Sequence, residues 1–454
     1  MIESIAITNF YCFNETTKIS FVAGRERNRL SDILFAGYEP LNHVNMLKMA
    51  FLYGDNGAGK SKIMKAFEVL QELVTESRDD ISDPLPYEEF AFDPMRLQPK
   101  PSEITLVYHF DRNRYRYYIK WNERFIIEEK LEHLKPASEA LLFHRIYDKH
   151  LRVVQVEYGR EMNINDDTAY VIRTGLQRNN SVFSIINNTN IYNKVLHDQM
   201  AFFKFGFELL DLTDIDLGDS LPDGKKKNGR ALKKVILALL ASIGSNIKDF
   251  EKIPLPKRLP SSILSKMKNV DSEQMQMMME LFDMAPDYAV RTFHDVGQKR
   301  PQSLDLEDQS EGTKEIMRMI ICMHEAIAEH KTILLDDCIN GIHPKNLAQL
   351  MKFFLGVATD AQLIIASQNF SNLDEATIRR DSLRFVVKNK YGESRVDQLA
   401  LGALHKNQNL RNQVENNPQW GVMPTINDVI LENAIMEFKS RTPRDGDDYY
   451  SELF

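Results

Sequence analysis

The 454-residue chain has few cysteines and no long apolar run. Its three cysteines, Cys12, Cys322 and Cys338, show no metal-ligand spacing and imply no disulfide framework. Cys12 and Cys322 stand in apolar contexts, so we expect both to be buried as reduced thiols. No stretch approaches the ~20 apolar residues that cross a bilayer, and Met1 to Ser4 lack the basic start of a secretory signal. We therefore expect a cytoplasmic protein without a membrane segment.

The chain also lacks an excess of positive charge. Lys and Arg number 57 against 65 Asp and Glu, which gives a formal net charge of −8. This balance argues against a basic surface that covers the molecule to bind nucleic acid. A local basic patch is still compatible with this balance. The most basic segment is the run from Asp223 to Arg230, together with Lys233 and Lys234. We predict that this run is a mobile loop, which is either solvated or in contact with nucleic acid or an acidic partner.

A complete phosphate-binding loop follows an apolar run at Met49 to Tyr53. Its eight residues are Gly54, Asp55, Asn56, Gly57, Ala58, Gly59, Lys60 and Ser61. Glycines let successive backbone N–H groups converge on phosphate oxygens at a helix N-terminus, where the helix dipole also favours an anion. The pattern predicts that Lys60 reaches the β- and γ-phosphates, that Ser61 joins a Mg²⁺ shell, and that the following Lys62 belongs to the same nucleotide-binding set.

The strand and helix around this loop are predicted from apolar spacing. Ile63, Phe67, Leu70 and Val74 are spaced to share one face of a helix over residues 60–74. An accidental glycine-rich turn followed by Lys and Ser is the alternative, and the strand-loop-helix context argues against it.

A second apolar strand ends in two carboxylates. Thr332 to Leu335 is followed by Asp336, predicted to hold the metal shell, and Asp337, predicted to polarise an attacking water. Upstream, a turn of small residues around a glycine opens a helix: Ser310, Glu311, Gly312 and Thr313. This turn is a second candidate anion-binding site, and an ordinary N-capped helix is the alternative.

With these motifs the sequence resembles the ABC-type ATPase superfamily. Asn9-Phe10, Asn340 to Pro344 and Ile378 to Lys388 resemble stand-alone ATPases of the RloA and AbiL type, which are defence-associated relatives of OLD and RecF. Trp420 to Pro424 fits the same pattern. The resemblance implies ATP and Mg²⁺ as ligands, and it implies that Ser310 to Thr313 bind the γ-phosphate of a nucleotide held by the opposite subunit of a homodimer.

Two departures from that family predict slow turnover. Asp337 stands where the family usually has Glu, and a water misplaced by about 1 Å can cost about a hundredfold in rate. Gln368 stands where relatives carry His, and an amide hydrogen-bonds a phosphate or water but takes up no proton near neutral pH. Lys60, Asp337 and Gln368 are the predicted catalytic residues. Gln98 is a candidate for the state-sensing loop and metal shell, or a plain surface glutamine.

The predicted fold is α/β: an ABC-ATPase head with a mixed or parallel P-loop sheet, an antiparallel β subdomain and an inserted helical subdomain. The predicted divisions are 1–137 (N-terminal lobe), 138–300 (inserted, mainly helical), 301–442 (C-terminal lobe) and 443–454 (flexible tail). Residues 2–13 are predicted to hold an edge-type strand.

Three functions follow as hypotheses. The first is an ATP-driven switch in bacterial anti-phage defence that controls a separate effector chain, such as a nuclease, because the sequence shows no nuclease signature of its own. The second is a RecF-like or SMC-like ATPase that clamps DNA for repair, which should bind DNA with strong salt dependence. The third is a scaffold that uses ATP only as structural glue.

Overall fold

The computed structural model describes residues 1–24, 33–36, 44–93, 98–224, 227–254, 288–337, 339, 341–369, 378–398 and 428–441. Its strands are β1 (Ile2–Thr8), β2 (Thr17–Ser20), β3 (Ile33–Ala36), β4 (Val44–Leu47), β5 (Met49–Tyr53), β6 (Ser102–Phe110), β7 (Asn113–Trp121), β8 (Ile126–Leu134), β9 (Glu139–Asp148), β10 (Val153–Tyr158), β11 (Phe207–Leu210), β12 (Ile247–Pro254), β13 (Tyr288–His294), β14 (Gln302–Asp305), β15 (Thr332–Asp336), β16 (Gln362–Ser367), β17 (Leu383–Lys388) and β18 (Ser394–Gln398). Its helices are α1 (Lys60–Thr75), α2 (Asp166–Gly175), α3 (Lys194–Phe205), α4 (Leu217–Ser220), α5 (Lys227–Ser242), α6 (Glu311–Glu329), α7 (Pro344–Val357) and α8 (Asp428–Arg441).

Two large sheets dominate the molecule. The first is antiparallel throughout, in the order β10-β9-β8-β7-β6-β1-β2. The second has the order β11-β15-β16-β5-β17-β18, in which the first five strands are parallel and β18 returns antiparallel. The predicted α/β fold, with a mixed P-loop sheet and an antiparallel sheet, is therefore confirmed. Smaller sheets are β12-β13-β14 and β3-β4.

α1 packs in the core that the two sheets share, together with residues of α3. Its apolar stripe of Ile63, Phe67, Leu70 and Val74 is fully buried, so the predicted face is confirmed. The same core holds residues of β1 and β6 from the antiparallel sheet, and Ala50 and Leu52 of β5 from the parallel sheet.

The opposite face of the parallel sheet packs against α6 and α7. Phe51 and Tyr53 of β5 lie in this second core, with apolar residues of β15, β16 and both helices. Because successive side chains of a strand point to opposite faces, β5 contributes to both layers and reads as a continuous apolar run. All five of its residues are buried.

The N-terminal strand is not an edge strand, contrary to the prediction. β1 pairs with β2 on one side and with β6 on the other, so the edge belongs to β2. The alternation of Ile5 and Ile7 indicated a strand correctly, but its second neighbour begins at residue 102 and local sequence carries no sign of it.

In the described part of residues 138–300, strands accompany the predicted helices. β9 and β10 extend the antiparallel sheet, β11 joins the parallel sheet, and β12 and β13 form a small sheet beside α2 to α5. The half-exposed strands alternate irregularly between buried and exposed residues, which weakens their period-two signal. The division of the chain into four segments stays a prediction, and both the predicted tail at 443–454 and the motif at Trp420 to Pro424 lie outside the described residues.

The basic run after Asp223 is partly helical, because α5 begins at Lys227. The predicted loop is therefore too long. Lys233 donates from Nζ to the Phe250 carbonyl at 2.6 Å and pairs with Asp249 at 2.6 Å, so this charge is engaged within the protein. Lys225 and Lys226 lie outside the described residues. Among the described helices, none combines the length and apolar character needed to cross a membrane.

Glu3 ties β1 to the hairpin formed by β6 and β7. Its carboxylate accepts hydrogen bonds from Arg114 Nε and Nη2, both at 2.7 Å, and lies 2.9 Å from His109 Nε2. Burial by itself would raise the pKa of Glu3, but the bonds to His109 and Arg114 outweigh it and lower the pKa from 4.5 to about 2. The stabilisation is thus complete above pH 4.5 and decreases as the pH falls toward 2.

We predict that Glu3→Gln lowers the free energy of unfolding by roughly 3 kcal/mol at pH 7, and that the difference from wild type shrinks by about 2 kcal/mol at pH 3. Urea denaturation of both proteins at pH 7 and at pH 3 measures this difference in the free energy of unfolding. Glu157→Gln, at an exposed glutamate of β10, is the control and should change little. A deficit for Glu3→Gln that stays constant from pH 7 to pH 3 would contradict the assignment.

Candidate functional site

The phosphate-binding loop connects β5 to α1 and is shaped by its glycines. Gly57 and Gly59 have φ values of +73° and +112°, in the left-handed region that L residues with a side chain rarely adopt. A Cβ on Gly54 would lie 2.4 Å from the Val386 carbonyl oxygen of β17. A Cβ on Gly59 would lie 2.6 Å from Cys12 Sγ. The loop therefore requires glycine both for its backbone angles and for close packing.

Lys60 is buried at the start of α1 and folds back over the loop. Its Nζ donates to the carbonyl oxygens of Gly54 at 2.9 Å and Asp55 at 3.1 Å. Burial lowers the pKa of Lys60, and the nearby carboxylates of Asp337, Asp336 and Asp55 act in the opposite direction. The ammonium is thus held inside the loop, next to the place where the loop would bind a phosphate.

Strand register brings the acidic pair to this loop. Asp336 pairs with Ala366 between β15 and β16, and Ser367 pairs with Tyr53 between β16 and β5. Because these strands are parallel, their carboxyl ends meet at one edge of the sheet. The loop after Tyr53, the carboxylates after Leu335 and Gln368 after β16 all begin at this edge.

Asp336 contacts the loop directly. The Ser61 hydroxyl donates a hydrogen bond to the Asp336 carboxylate. Burial raises the pKa of Asp336 and the neighbouring Asp337 charge adds to the effect, whereas the Ser61 bond and the Lys60 charge lower it. Oδ1 of Asp336 is buried and has no hydrogen-bond partner among the described residues. A hydroxyl and a carboxylate with a spare oxygen are the ligands that Mg²⁺ takes beside a nucleotide phosphate.

Asp337 adopts a left-handed backbone conformation with φ of +50°, and its N–H donates to the Ala366 carbonyl at 3.0 Å. Asp and Asn adopt this conformation more readily than longer side chains do. Aspartate, which stands here in place of the glutamate usual in the family, is therefore compatible with the left-handed backbone conformation at this position.

A cavity of about 440 Å³ opens over the loop. The predicted residues that line it are Asn56, Gly57, Gly59, Lys60, Ser61, Lys62 and Asp337. Its other walls come from residues that sequence reasoning did not assign to the site: Tyr11, Cys12, Glu88, Glu89, Ala91, Phe92 and Lys388. Lys62 Nζ lies 4.1 Å from the centre of the Tyr11 ring, so the cavity has an aromatic and cationic rim.

Asn9 positions one of these walls, the segment 88–92. Its side chain donates to the Lys100 carbonyl at 2.7 Å and accepts from the Phe90 amide at 3.2 Å, which holds residues 88–92 over the loop. The sequence signal that could have pointed to this wall of the cavity is Asn9-Phe10, which is one of the motifs that carry the family resemblance. Cys12 was predicted to be buried but is half-exposed on the cavity wall, whereas Cys322 is buried as predicted.

The second glycine-containing turn stands apart from this cavity in the same chain. Ser310 caps α6, since its Oγ accepts from the Thr313 amide at 3.3 Å, and Glu311 pairs with Arg318 at 2.7 Å. Ser310 and Glu311 are exposed, and none of Ser310 to Thr313 lines the cavity. A Cβ on Gly312 would lie 3.1 Å from the Gly341 carbonyl oxygen, so the turn packs against the segment that follows Asp337.

Gln368 and Gln98 are placed differently. Gln368 directly follows β16 and is half-buried at the carboxyl edge of the sheet, although it is not among the residues that line the cavity. Gln98 is exposed in a bend and is not among the residues that line the cavity. The roles predicted for both stay predictions.

These residues fit a magnesium-nucleotide ligand. The glycine cradle, the inward ammonium of Lys60 and the spare buried oxygen of Asp336 supply groups for phosphate and metal. Within the described residues there is no cluster of three or more His, Cys, Asp or Glu side chains that would hold a metal by itself.

Comparison with known proteins assigns the central part of the chain to a family. The family described as "AAA domain, putative AbiEii toxin, Type IV TA system" matches residues 49–374, which include both the phosphate-binding loop and the acidic pair. No curated protein matches the chain.

Two solved structures are similar in overall path. The "SMC head domain from Thermotoga maritima" is 12% identical, with a TM-score of 0.40, and the match covers 88% of this chain and 99% of that one. The structure "SmcHead bound to the C-winged helix domain of ScpA" is 13% identical, with a TM-score of 0.41 and the same coverage.

We predict that Gly59→Ala abolishes measurable binding of a fluorescent ATP analogue, because the added Cβ collides with Cys12 and φ of +112° is strained for alanine. Fluorescence anisotropy measures binding. Gly356→Ala is the matched control, because a Cβ there meets nothing within 4 Å and the residue lies near the end of α7. The control should bind as wild type does; equal binding by both variants would show that the cradle is not needed.

Proposed function

We propose that this chain, which belongs to the family described as "AAA domain, putative AbiEii toxin, Type IV TA system", binds Mg²⁺ and ATP at the Gly54–Ser61 loop and hydrolyses ATP slowly. One observation carries the proposal. Ser61 at the start of α1 is hydrogen-bonded to Asp336 at the end of β15, beside Lys60. A metal-binding hydroxyl, a metal-binding carboxylate and a phosphate-binding ammonium thus meet at one point.

The residues divide the chemistry among them. Backbone N–H groups at the N-terminus of α1 and the Lys60 ammonium bind and orient the phosphates. Ser61 and Asp336 would hold Mg²⁺, which when bound neutralises charge on the phosphate oxygens. Asp337 and Gln368 orient the attacking water, and Asp337 is the acceptor for its proton.

Slow turnover follows from the two residues to which we assign the attacking water. The Asp337 carboxylate is one methylene shorter than glutamate, so its reach toward the γ-phosphate is reduced. Gln368 orients water through its amide and accepts no proton. The molecule therefore dwells in its ATP-bound state, which suits a switch or sensor better than a motor.

The exposed turn at Ser310–Thr313 supports a dimer in which each nucleotide is shared. The turn presents a capped helix N-terminus to solvent and is not part of the cavity in its own chain. A second copy would bring its turn to the γ-phosphate, so that two ATP molecules close the dimer and hydrolysis loosens it. This is a population shift driven by a higher affinity of ATP for the closed form.

We place this switch in bacterial anti-phage defence, where it would control a separate effector chain such as a nuclease. The family description names a putative toxin of a toxin–antitoxin system, and the motifs at Asn9-Phe10 and Ile378 to Lys388 resemble defence-associated ATPases. The DNA-clamp alternative gains no support from Lys233, which is paired within the protein.

We predict that the wild type releases phosphate from ATP at less than about 10 per second. Asp337→Asn keeps the left-handed backbone but removes the proton acceptor, so it should lower kcat by about a hundredfold or more and retain nucleotide binding. Lys60→Ala should lose binding itself. Phosphate release and nucleotide anisotropy separate the two effects, and phosphate release by Asp337→Asn at the wild-type rate would contradict the role of Asp337.

A mixing experiment tests whether the turn acts on the other copy. Lys60→Ala has an intact turn and Ser310→Arg has an intact phosphate-binding loop, so each variant should be inactive as a homodimer. A mixed dimer contains one complete composite site, and the mixture should recover up to about half of the wild-type activity per mixed dimer. If mixing restores nothing while a tagged pull-down shows that mixed dimers form, the turn acts within its own chain.

A further inference from the structure

A groove runs along the outer edge of the antiparallel sheet, away from the nucleotide cavity. It encloses about 840 Å³ and is bounded by β10, the C-terminal end of α2 and the segment that follows it. All four residues from Val153 to Val156 line it. Successive side chains of a strand point to opposite faces of the sheet. Since β10 residues that point to either face line this space, the space lies along the edge of the strand and not over one face.

The edge itself is available for pairing. β10 is the terminal strand of its sheet and pairs only with β9 in the described part of the chain. The strand is six residues long and mostly apolar, and Val153 is 45% exposed. An edge of this length presents a row of backbone donors and acceptors to another extended chain.

The charged side chains that line the groove are positive. Arg152, Arg173 and Arg178 line it, and no Asp or Glu of the described residues does. This contrasts with the formal net charge of −8 of the whole chain. Arg152 and Arg173 are exposed, so their charges face the groove without desolvation. A ligand with carboxylates would complement this lining.

We propose that the groove binds an extended acidic peptide segment of a partner protein, which adds as a strand to β10 and places carboxylates against the three arginines. Val154, Val156, Leu176 and Ile81 provide apolar contacts for alternate side chains of such a strand. A nucleic acid fits less well, because the one aromatic ring in the lining, Tyr147, is 8% exposed and offers little surface for base stacking.

The probe for this proposal is a fluorescein-labelled peptide of about eight residues that alternates glutamate and valine, added to the full-length protein. Anisotropy should show saturable binding, and Arg152→Glu with Arg173→Glu should weaken it about tenfold or more. Arg160→Glu is the matched control, since Arg160 is exposed nearby but does not line the groove. It should bind the peptide as the wild type does.

Hydrogen exchange provides the second readout. Bound peptide should protect the backbone amides of Val153–Val156, which a purely electrostatic contact would not do. Three outcomes would overturn the proposal: no saturable binding, equal binding of a lysine-valine peptide, or tighter binding of a single-stranded oligothymidylate that the same two substitutions abolish. The last would assign the groove to nucleic acid.

Discussion

The candidate nucleotide site depends on the register of three parallel strands. β15, β16 and β5 are aligned so that Asp336, Ala366 and Leu52 lie side by side. This alignment places the carboxylates next to the phosphate-binding loop that begins one residue after Tyr53. A slip of one residue would turn every side chain of a strand to the other face, which would expose apolar residues and remove Asp336 from Ser61. Burial of both faces of the sheet therefore holds the geometry of the candidate site in place.

Elements far apart in sequence complete the site around that edge. The Ser394 amide donates to the Cys12 carbonyl at 2.7 Å, and the Ser394 hydroxyl donates to the Ala58 carbonyl at 2.7 Å. β18, the turn after β1 and the phosphate-binding loop are thus joined by one serine. The packing explains why Gly54 and Gly59 have no room for a side chain, because β17 and Cys12 press against them.

The antiparallel sheet has a different role at each end. Its β1 end leads into Tyr11 and Cys12 of the nucleotide cavity, and its β10 end carries the arginine-lined groove. Five strand spacings separate β1 from β10, which is roughly 24 Å. A peptide on β10 would therefore leave the nucleotide uncovered, and an ATP switch and a partner would occupy separate surfaces of one rigid sheet.

The sequence by itself determined the chemistry of the loop and its nearest elements. Gly54 to Ser61, the apolar face of α1 and the apolar strand ending at Asp336 are local patterns, in which spacing within about 16 residues carries the information. Tertiary structure alone decided that β1 lies inside its sheet, that residues 138–300 contribute strands to both sheets, and that Tyr11, Phe92 and Lys388 line the cavity. Those features arise from pairings between distant segments, and their energy comes from surfaces buried together, which no single stretch of sequence contains.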